Sequence, residues 1–551
     1  MKIDSAAPIE KIDNKKLKNK KSDKKSKKIN PTSEEPSRTD KKEKSKNKED
    51  KSDKKSDKKT KRSIQDEQVD KKSKKSKTNS AENAPVSNSE ISEFLKMNGV
   101  RITSIETGKD ASSIYPPILS FENSGFDKDL LSSCSSFDKP TPIQSACWDI
   151  LNKGKDIVGI AETGSGKTFA FALPAIQKIK PMKDTSASVA SPYVLVLAPT
   201  RELAMQTQEQ FDLIKATTKG IESICLYGGV PKYEQKKVLY KSLPKIIVAT
   251  PGRLIDLIEC GDVSLKQVNF LVLDEADRML DQGFEQVIRK IINSTDPNIE
   301  KQMVMFSATW PEEIRSLASE FLKSPIRVNV SGVELVGNGD NPENNEDSND
   351  GKLIINQRVT QIVQVMDPYN KENNLTDLLA KYHKNQSSKI IIFVLYKKEA
   401  SRVENSLQRK GFNCVSIHGD KSQDLRSQAL KSFKSGQVPL LIATDVAARG
   451  LDIPNVEYVI NYTFPLTIDD YIHRIGRTGR AGKKGISHTF FTVEDKHHSG
   501  SLINVLKEAK MDVPDNLLKF GTTVKKKEHK VYGAFFKDID PNAKPTKIIF
   551  D

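Results

Sequence analysis

Short, almost uninterrupted runs of aliphatic and β-branched residues recur along this chain, each separated from the next by a stretch long enough for a helix. "DIVGI" (156–160), "YVLVLA" (193–198), "KIIVA" (245–249), "NFLVLD" (269–274) and "QMVMFSA" (302–308) form one series. "KIIIFVL" (389–395), "NCVSIH" (413–418), "LLIAT" (440–444), "EYVINY" (457–462) and "SHTFFTV" (487–493) form a second. A strand that is apolar on both faces must be covered on both faces, and parallel strands need helix-length connections. The pattern predicts two α/β domains with central parallel sheets, over 119–330 and 357–515. The Asn-, Asp- and Gly-rich "VGNGDNPENNEDSNDGK" (336–352) predicts a flexible acidic linker over 331–356. Residues 516–551 are expected to form a C-terminal extension.

Composition separates a third region. The net charge is +16, yet residues 1–80 alone hold 29 Lys/Arg against 15 Asp/Glu, so the rest of the chain is near balance. Segments such as "KKSDKKSKK" lack aromatic side chains and nearly all apolar ones. They cannot bury enough surface to offset the entropy of ordering, so residues 1–92 are expected to be a disordered Lys-rich arm. Such an arm suits nuclear or nucleolar targeting and non-specific attraction to RNA. Five scattered cysteines with no C-x-x-C pair argue against a disulfide framework or a zinc site. No apolar run reaches the ~18 residues of a membrane span, so no membrane association is expected.

The chemistry concentrates at the ends of the apolar runs. "AETGSGKT" (161–168) follows the first run and precedes a helical pattern. Gly164 and Gly166 allow backbone N–H groups to curl around phosphates, Lys167 can reach the outer phosphates, and the Thr168 hydroxyl can sit on Mg²⁺. Strictly the pattern begins with Gly, and here Ala161 stands first. "NFLVLDEAD" ends a buried-looking strand on two adjacent carboxylates, Asp274 and Glu275. Buried charge is expensive without a partner. A nucleoside triphosphatase needs one carboxylate to hold Mg²⁺ through water and another to position the attacking water, which accounts for both.

With "DEAD" at 274–277, the chain resembles the DEAD-box ATP-dependent RNA helicases over about 119–515. The resemblance implies two tandem RecA-like P-loop domains that bind ATP with Mg²⁺ and act on RNA. "FDKPTPIQ" (137–144) is similar to the family's adenine-reading motif, with Gln144 on the base edge and Phe137 stacked near it. The phosphate loop then comprises Ala161, Glu162, Thr163, Gly164, Ser165, Gly166, Lys167 and Thr168. "PTRELA" (199–204), "GG" (228–229) and "TPGR" (250–253) imply RNA contacts from Pro199, Arg201, Gly229, Thr250, Gly252 and Arg253. Hydroxyls, bare N–H groups and guanidinium forks all suit phosphate oxygens. In the second domain "HGDKSQDLR" (418–426) and "ATDVAARGLD" (443–452) imply RNA contacts from Gly419, Arg426 and Thr444, and a ribose contact from Asp452. "YIHRIGRTGR" (471–480) implies Arg477 and Arg480 as arginine fingers, catalytic together with Lys167, Asp274 and Glu275. Asp277, Ser307, Thr309 and His473 are the implied coupling residues.

Backbone-directed contacts of this kind carry little base specificity, and no aromatic-rich stacking platform is evident in the body. "FVLY" (393–396) departs from the family pattern, where many members have Thr at the fourth place. Together with "LYKKEA" (395–400), "YGAFFKDID" and the repeated "KKSDKK" arm, it resembles a fungal nucleolar branch that acts in large-subunit ribosomal RNA processing. That resemblance implies pre-ribosomal RNA, and possible contact with pre-ribosomal proteins, by a monomer in the nucleus or nucleolus. Two alternatives stand beside it: an ATP-gated RNA clamp, and a p68-like helicase, which shares "PTPIQ", "AETGSGKT" and "LDEADRMLD".

Overall fold

The computed structural model describes residues 87–162, 164–183, 189–330, 358–384, 386–445, 453–480 and 483–523. The expected linker, nearly all of the expected arm, Thr163, Asp452 and residues 524–551 lie outside the described residues.

The first series of apolar runs builds one sheet. Its strands are β1 (Val100–Ser104), β2 (Ile157–Ala161), β3 (Val194–Leu197), β4 (Ser223–Leu226), β5 (Ile246–Ala249), β6 (Phe270–Leu273), β7 (Gln302–Ser307) and β8 (Ile326–Val330). Their order across the sheet is β1-β8-β2-β7-β6-β3-β5-β4. β1 runs antiparallel to β8 and every other pairing is parallel. One apolar layer, with Phe171, Phe211 and Phe306, covers one face, and a second, with Leu254, Met279 and Ile291, covers the other.

β1 corrects the expected start at 119: the sheet takes in Val100–Ser104, whose register runs from Val100↔Val330 to Ser104↔Ile326. The helix Asn88–Met97 precedes it, opened by a Ser87–Glu90 capping box, and packs Phe94 and Leu95 on the same core. The expected arm boundary at 92 is corrected with it, because residues 88–92 belong to this helix.

The second series builds β9 (Val359–Val365), β10 (Lys389–Val394), β11 (Cys414–Ile417), β12 (Leu440–Thr444), β13 (Val456–Asn461) and β14 (Gly485–Phe491). This all-parallel sheet has the order β11-β12-β10-β13-β14-β9. Residues 516–523 pack onto the same domain: Leu517 is buried, and the Ser499 hydroxyl donates to the Gly521 carbonyl at 2.8 Å. Both sheets belong to one compact unit within residues 80–551. Among the described residues no helix is long and apolar enough to cross a membrane.

Hydroxyl caps start the helices that follow the key strands. Thr200 Oγ1 accepts from Leu203 N–H at the helix Arg201–Thr217, Ser422 from Leu425 N–H at Gln423–Ser435, and Thr467 from Asp470 N–H at Ile468–Ile475. Each cap satisfies an otherwise orphaned N–H, typically stabilising by about 1 kcal/mol, and fixes where the strand-end loop becomes helix.

The second domain carries a pH-sensitive core group. His488 lies on β14 with its Nε2 3.0 Å from Gln364 Oε1 and its Nδ1 3.3 Å from the Tyr382 hydroxyl. Burial pushes its pKa down to about 4, so the imidazole is neutral in the fold, whereas an unfolded histidine titrates near 6.5. Between those values the unfolded chain binds the extra proton, so stability is present above pH ~6.5 and is lost as pH falls toward ~4. Thermal unfolding of the chain at stepped pH should show this loss, on the order of a few kcal/mol, and His488→Gln should flatten it.

Candidate functional site

The strand order divides the functional loops of the first domain. The C-terminal ends of β2, β7 and β6 are adjacent and carry the phosphate loop, Ser307–Thr309 and Asp274–Asp277. The ends of β3, β5 and β4 are adjacent on the other side and carry Pro199–Arg201, Thr250–Arg253 and Gly228–Gly229. Ligands of open parallel sheets bind outside the carboxyl ends of the strands, so one edge of the sheet offers two neighbouring sites.

In the phosphate loop, Gly164 and Gly166 take φ of +81° and +95°. A Cβ on Gly166 would overlap Gln144 Nε2 at 2.7 Å and Thr141 Oγ1 at 2.8 Å, so glycine is required sterically as well as conformationally. Ser165 Oγ donates to the Glu162 carbonyl at 2.7 Å and closes the loop. Lys167, buried at the start of the helix Lys167–Ile179, donates its Nζ to the Ala161 carbonyl at 3.1 Å. Thr168 follows it in the first turn.

Gln144 does more than the sequence suggested. Its Oε1 accepts from Thr141 N–H at 3.0 Å, and its Nε2 donates to the Gly166 carbonyl at 3.0 Å. The side chain thus caps its own helix and ties it to the phosphate loop. An amide has a second lone pair and a second N–H, so one acceptor and one donor remain for a base edge. Phe137 stands 55% exposed, edge-on to Phe169 with ring centroids 6.1 Å apart.

The carboxylates after β6 are deeply buried. Burial raises the Asp274 pKa to about 6 against the pull of Lys167. Its Oδ1 has no hydrogen-bond partner among the described residues. An orphaned buried carboxylate oxygen near the Thr168 loop is what a hard cation held by oxygen ligands requires, so the residues present fit Mg²⁺. Glu275 is in the left-handed region, φ +51°, at the junction of strand and helix. Burial raises its pKa, opposed by Arg477 of the second domain and by Lys167. A sparsely populated backbone state and a carboxyl shifted toward neutrality mark a poised functional group.

Asp277 holds Ser307–Thr309 in place. Its Oδ2 accepts from Ala308 N–H at 3.0 Å, Thr309 N–H at 3.0 Å and Thr309 Oγ1 at 2.9 Å, and its Oδ1 from Arg278 N–H at 2.9 Å. Burial pushes this carboxyl up, but His473 and the Ser307 and Thr309 hydroxyls outweigh it and hold the pKa down. His473 is pushed down to about 4, chiefly by burial, with Arg477 and Arg278 adding to it. His473, foremost among the groups that lower its pKa, and the Ser307 and Thr309 hydroxyls together keep Asp277 ionised.

The second domain reaches this cluster. Helix Ile468–Ile475 ends before Gly476, so Arg474, Arg477 and Arg480 do not share a helical face. Arg477 is buried beside Glu275, with its Nε donating to the His473 carbonyl at 3.1 Å. Arg480 donates its Nε to the Gly476 carbonyl at 2.8 Å and acts electrostatically on Glu162. Arg474 instead braces the interior of its own domain. It forms a buried bidentate pair with Asp445, Nε–Oδ1 and Nη2–Oδ2 both at 2.6 Å.

On the other half of the edge, the three glycines expected to contact RNA, Gly229, Gly252 and Gly419, are all exposed. Gly229 also makes room: at φ +86° a Cβ there would run into the Arg201 guanidinium. Pro199, Thr250 and Thr444 are buried at their strand ends. Two expected phosphate-binding arginines are engaged within the protein instead. Arg253 donates to Gln235 Oε1 at 2.7 Å and to the Val230 carbonyl at 3.0 Å, bracing the Gly229 loop. Arg426 is buried and pairs with Glu202 at 2.6 Å across the two domains.

Gln423 joins that pair, donating to Glu202 Oε1 at 3.0 Å, and its Oε1 lies 3.5 Å from Arg201 Nη1. Arg278 and Asp470 add a second bridge at 3.9 Å. Sequence reasoning missed Glu202 and Gln423, although both lie inside "PTRELA" and "HGDKSQDLR". The available signal was a glutamate on the first turn of a helix flanked only by phosphate-binding residue types. Glu202→Ala, Arg426→Ala and the double variant should be non-additive, with a coupling of about 0.5–3 kcal/mol in nucleotide-dependent RNA retention. Independent losses would show that the bridge does not join the domains.

Family models match both halves: "DEAD/DEAH box helicase" over residues 141–317 and "Helicase conserved C-terminal domain" over 370–482. The ATP-dependent RNA helicase DBP3 of Kluyveromyces lactis is 52% identical over 85% of this chain and 88% of its own. That of Saccharomyces cerevisiae is 52% identical over 84% and 83%. Among solved structures, S. cerevisiae Dbp5 bound to RNA and ADP BeF3 is 28% identical with a TM-score of 0.57, covering 73% of this chain and 94% of that one. Mss116 bound to ssRNA and UDP-BeF is 28% identical with a TM-score of 0.60, covering 74% and 82%. With the split site and the motif order already described, these similarities establish that the chain belongs to the DEAD-box ATP-dependent RNA helicases, in the DBP3 branch.

Proposed function

We propose that this helicase remodels pre-ribosomal RNA during large-subunit assembly in the nucleolus, using ATP to close its two domains on a single strand. The observation that carries the mechanism is the division of the first sheet's edge, with both halves bridged to the second domain. On one half Arg477 acts electrostatically on Glu275 and Arg278 faces Asp470 at 3.9 Å, and on the other Glu202 pairs with Arg426. Closure that completes one half must complete the other, which links hydrolysis to RNA binding.

In this reading Lys167 leaves the Ala161 carbonyl for the phosphates of ATP, and Gln144 offers its spare acceptor and donor to adenine. Phe137 covers the base face. Thr168 and Asp274 would hold Mg²⁺, the latter through water; when bound, the cation neutralises charge on the outer phosphates. Glu275 accepts a proton from the attacking water, and Arg477 and Arg480 stabilise charge on the transferring group. Asp452 is proposed to contact the ribose. Asp277, through Ser307–Thr309 on one side and His473 on the other, relays the state of one half to the other. Backbone N–H groups of Gly229, Gly252 and Gly419, with Thr250 and Thr444, grip phosphates and 2′-hydroxyls, while Arg201 sits at the joint.

The ribosomal assignment is supported by the relationship to DBP3 helicases and by the Lys-rich N-terminal sequence. Ultraviolet crosslinking of the tagged protein in cells tests it. Crosslinks should concentrate on pre-ribosomal RNA in the nucleolus. Crosslinks spread over other nuclear transcripts would favour a p68-like role instead.

A further inference from the structure

The second sheet runs β11-β12-β10 from one edge, so three neighbouring strand ends open on the same side. β11 leads to exposed Gly419, and β12 ends on Thr444. β10 ends on Val394, the register partner of Thr444. Two residues beyond it stands Tyr396, 64% exposed, at the N-cap of the helix Lys397–Arg409.

The backbone beneath that ring is well fixed. Leu395 N–H donates to Glu399 Oε2 at 3.0 Å, and Glu399 Oε1 accepts from Thr463 Oγ1 at 2.7 Å. The first turns of the helix are tied to the β11 loop by Lys397–Asp420 at 2.7 Å and by Ser401 Oγ to His418 Nε2 at 3.3 Å. No aromatic stacking or cation–π partner covers the Tyr396 ring among the described residues. An exposed tyrosine is ordinary by itself. Its position is what distinguishes this one: Tyr369, more exposed still, follows β9 at the far edge of the same sheet.

We propose that Tyr396 is a base-stacking platform for the RNA strand whose backbone is gripped at Gly419 and Thr444. The inference rests on reading those strand ends as the RNA face. Groups that grip phosphate and ribose cannot sense whether a base is present, whereas an anchored aromatic ring at the third strand end can. Every base has a π-face, so the platform adds grip without sequence preference.

The test measures equilibrium binding of a short fluorescent oligouridylate, with ADP–beryllium fluoride, to the full chain. A series of oligomers each lacks one base but keeps its phosphates. For the wild-type chain one abasic position should weaken binding by about ten- to a hundredfold, the size of one base–aromatic stack. Tyr396→Ala should weaken intact RNA by a similar factor and become indifferent to that position, and Tyr396→Phe should behave as wild type. If Tyr396→Ala binds intact RNA as wild type does, or keeps the same abasic sensitivity, the platform is refuted. If wild-type protein shows no nucleotide-dependent RNA binding, the whole RNA face is misread and the platform falls with it. The ring is exposed, so these variants should fold, and retained binding of fluorescent ADP checks this.

Discussion

Arg477→Ala is expected to lower the RNA-stimulated kcat by ~10³–10⁵, the range associated with an arginine supplied to a transferring phosphoryl group. The guanidinium lies buried beside Glu275, in the other domain from the phosphate loop, with its Nε fixed by the His473 carbonyl. In the proposed mechanism it reaches the phosphates only when the domains are together, so ATP binding to the first domain alone should survive its removal. Fluorescent nucleotide titration should therefore give a Kd near the wild-type value, while steady-state hydrolysis collapses. Arg477→Lys should recover little, because a point charge cannot reproduce a planar fork held at its Nε. A variant that keeps more than a tenth of wild-type kcat would show that Arg477 only packs the domain joint.

Glu275→Gln should reduce kcat by ~10²–10⁴ through loss of the base for the attacking water. The two variants should differ in RNA binding. Glutamine keeps the size of Glu275 and an acceptor oxygen, so the closed arrangement persists and ATP-dependent RNA binding should be retained or prolonged. Arg477→Ala removes a charge that acts on Glu275 across the domain joint, so its RNA should be released faster. Single-turnover hydrolysis with RNA dissociation followed in parallel separates these outcomes. Equal loss of RNA retention in both variants would argue that Glu275 helps to hold the domains together rather than acting on water.

What was legible in the sequence follows from burial. Strands covered on both faces announce themselves as continuous apolar runs, and all five runs of each series became strands. The four strands that gave no such signal are β1, β4, β8 and β9. Three of them lie at sheet edges, and the fourth, β8, is next to one. "VRITS", "IRVNV" and "VTQIVQV" alternate apolar and polar residues as partly covered strands do, and β4 is only four residues long. The same logic applies at the site. Residues that chemistry places at strand ends, such as Lys167, Asp274 and Gly229, were readable because loop position follows from strand position. The Glu202–Arg426 bridge, the bracing of the Gly229 loop by Arg253 and the double role of Gln144 were not. Each depends on which distant element lies opposite, and local spacing carries no record of that.

Tyr396 shows how the two kinds of information combine. The sequence marked it as a departure from the family pattern, with no indication of consequence. The sheet order put it beside Gly419 and Thr444, which turns a substitution into a testable contact.

The central proposal is that RNA, by completing one half of a shared edge, switches on hydrolysis at the other. Steady-state ATPase of the full chain, measured alone, with single-stranded RNA and with DNA of the same sequence, tests it most directly. Strong stimulation by RNA and little by DNA is expected, since grip on the strand involves 2′-hydroxyls. Equal stimulation by both nucleic acids, or hydrolysis that ignores them, would contradict it.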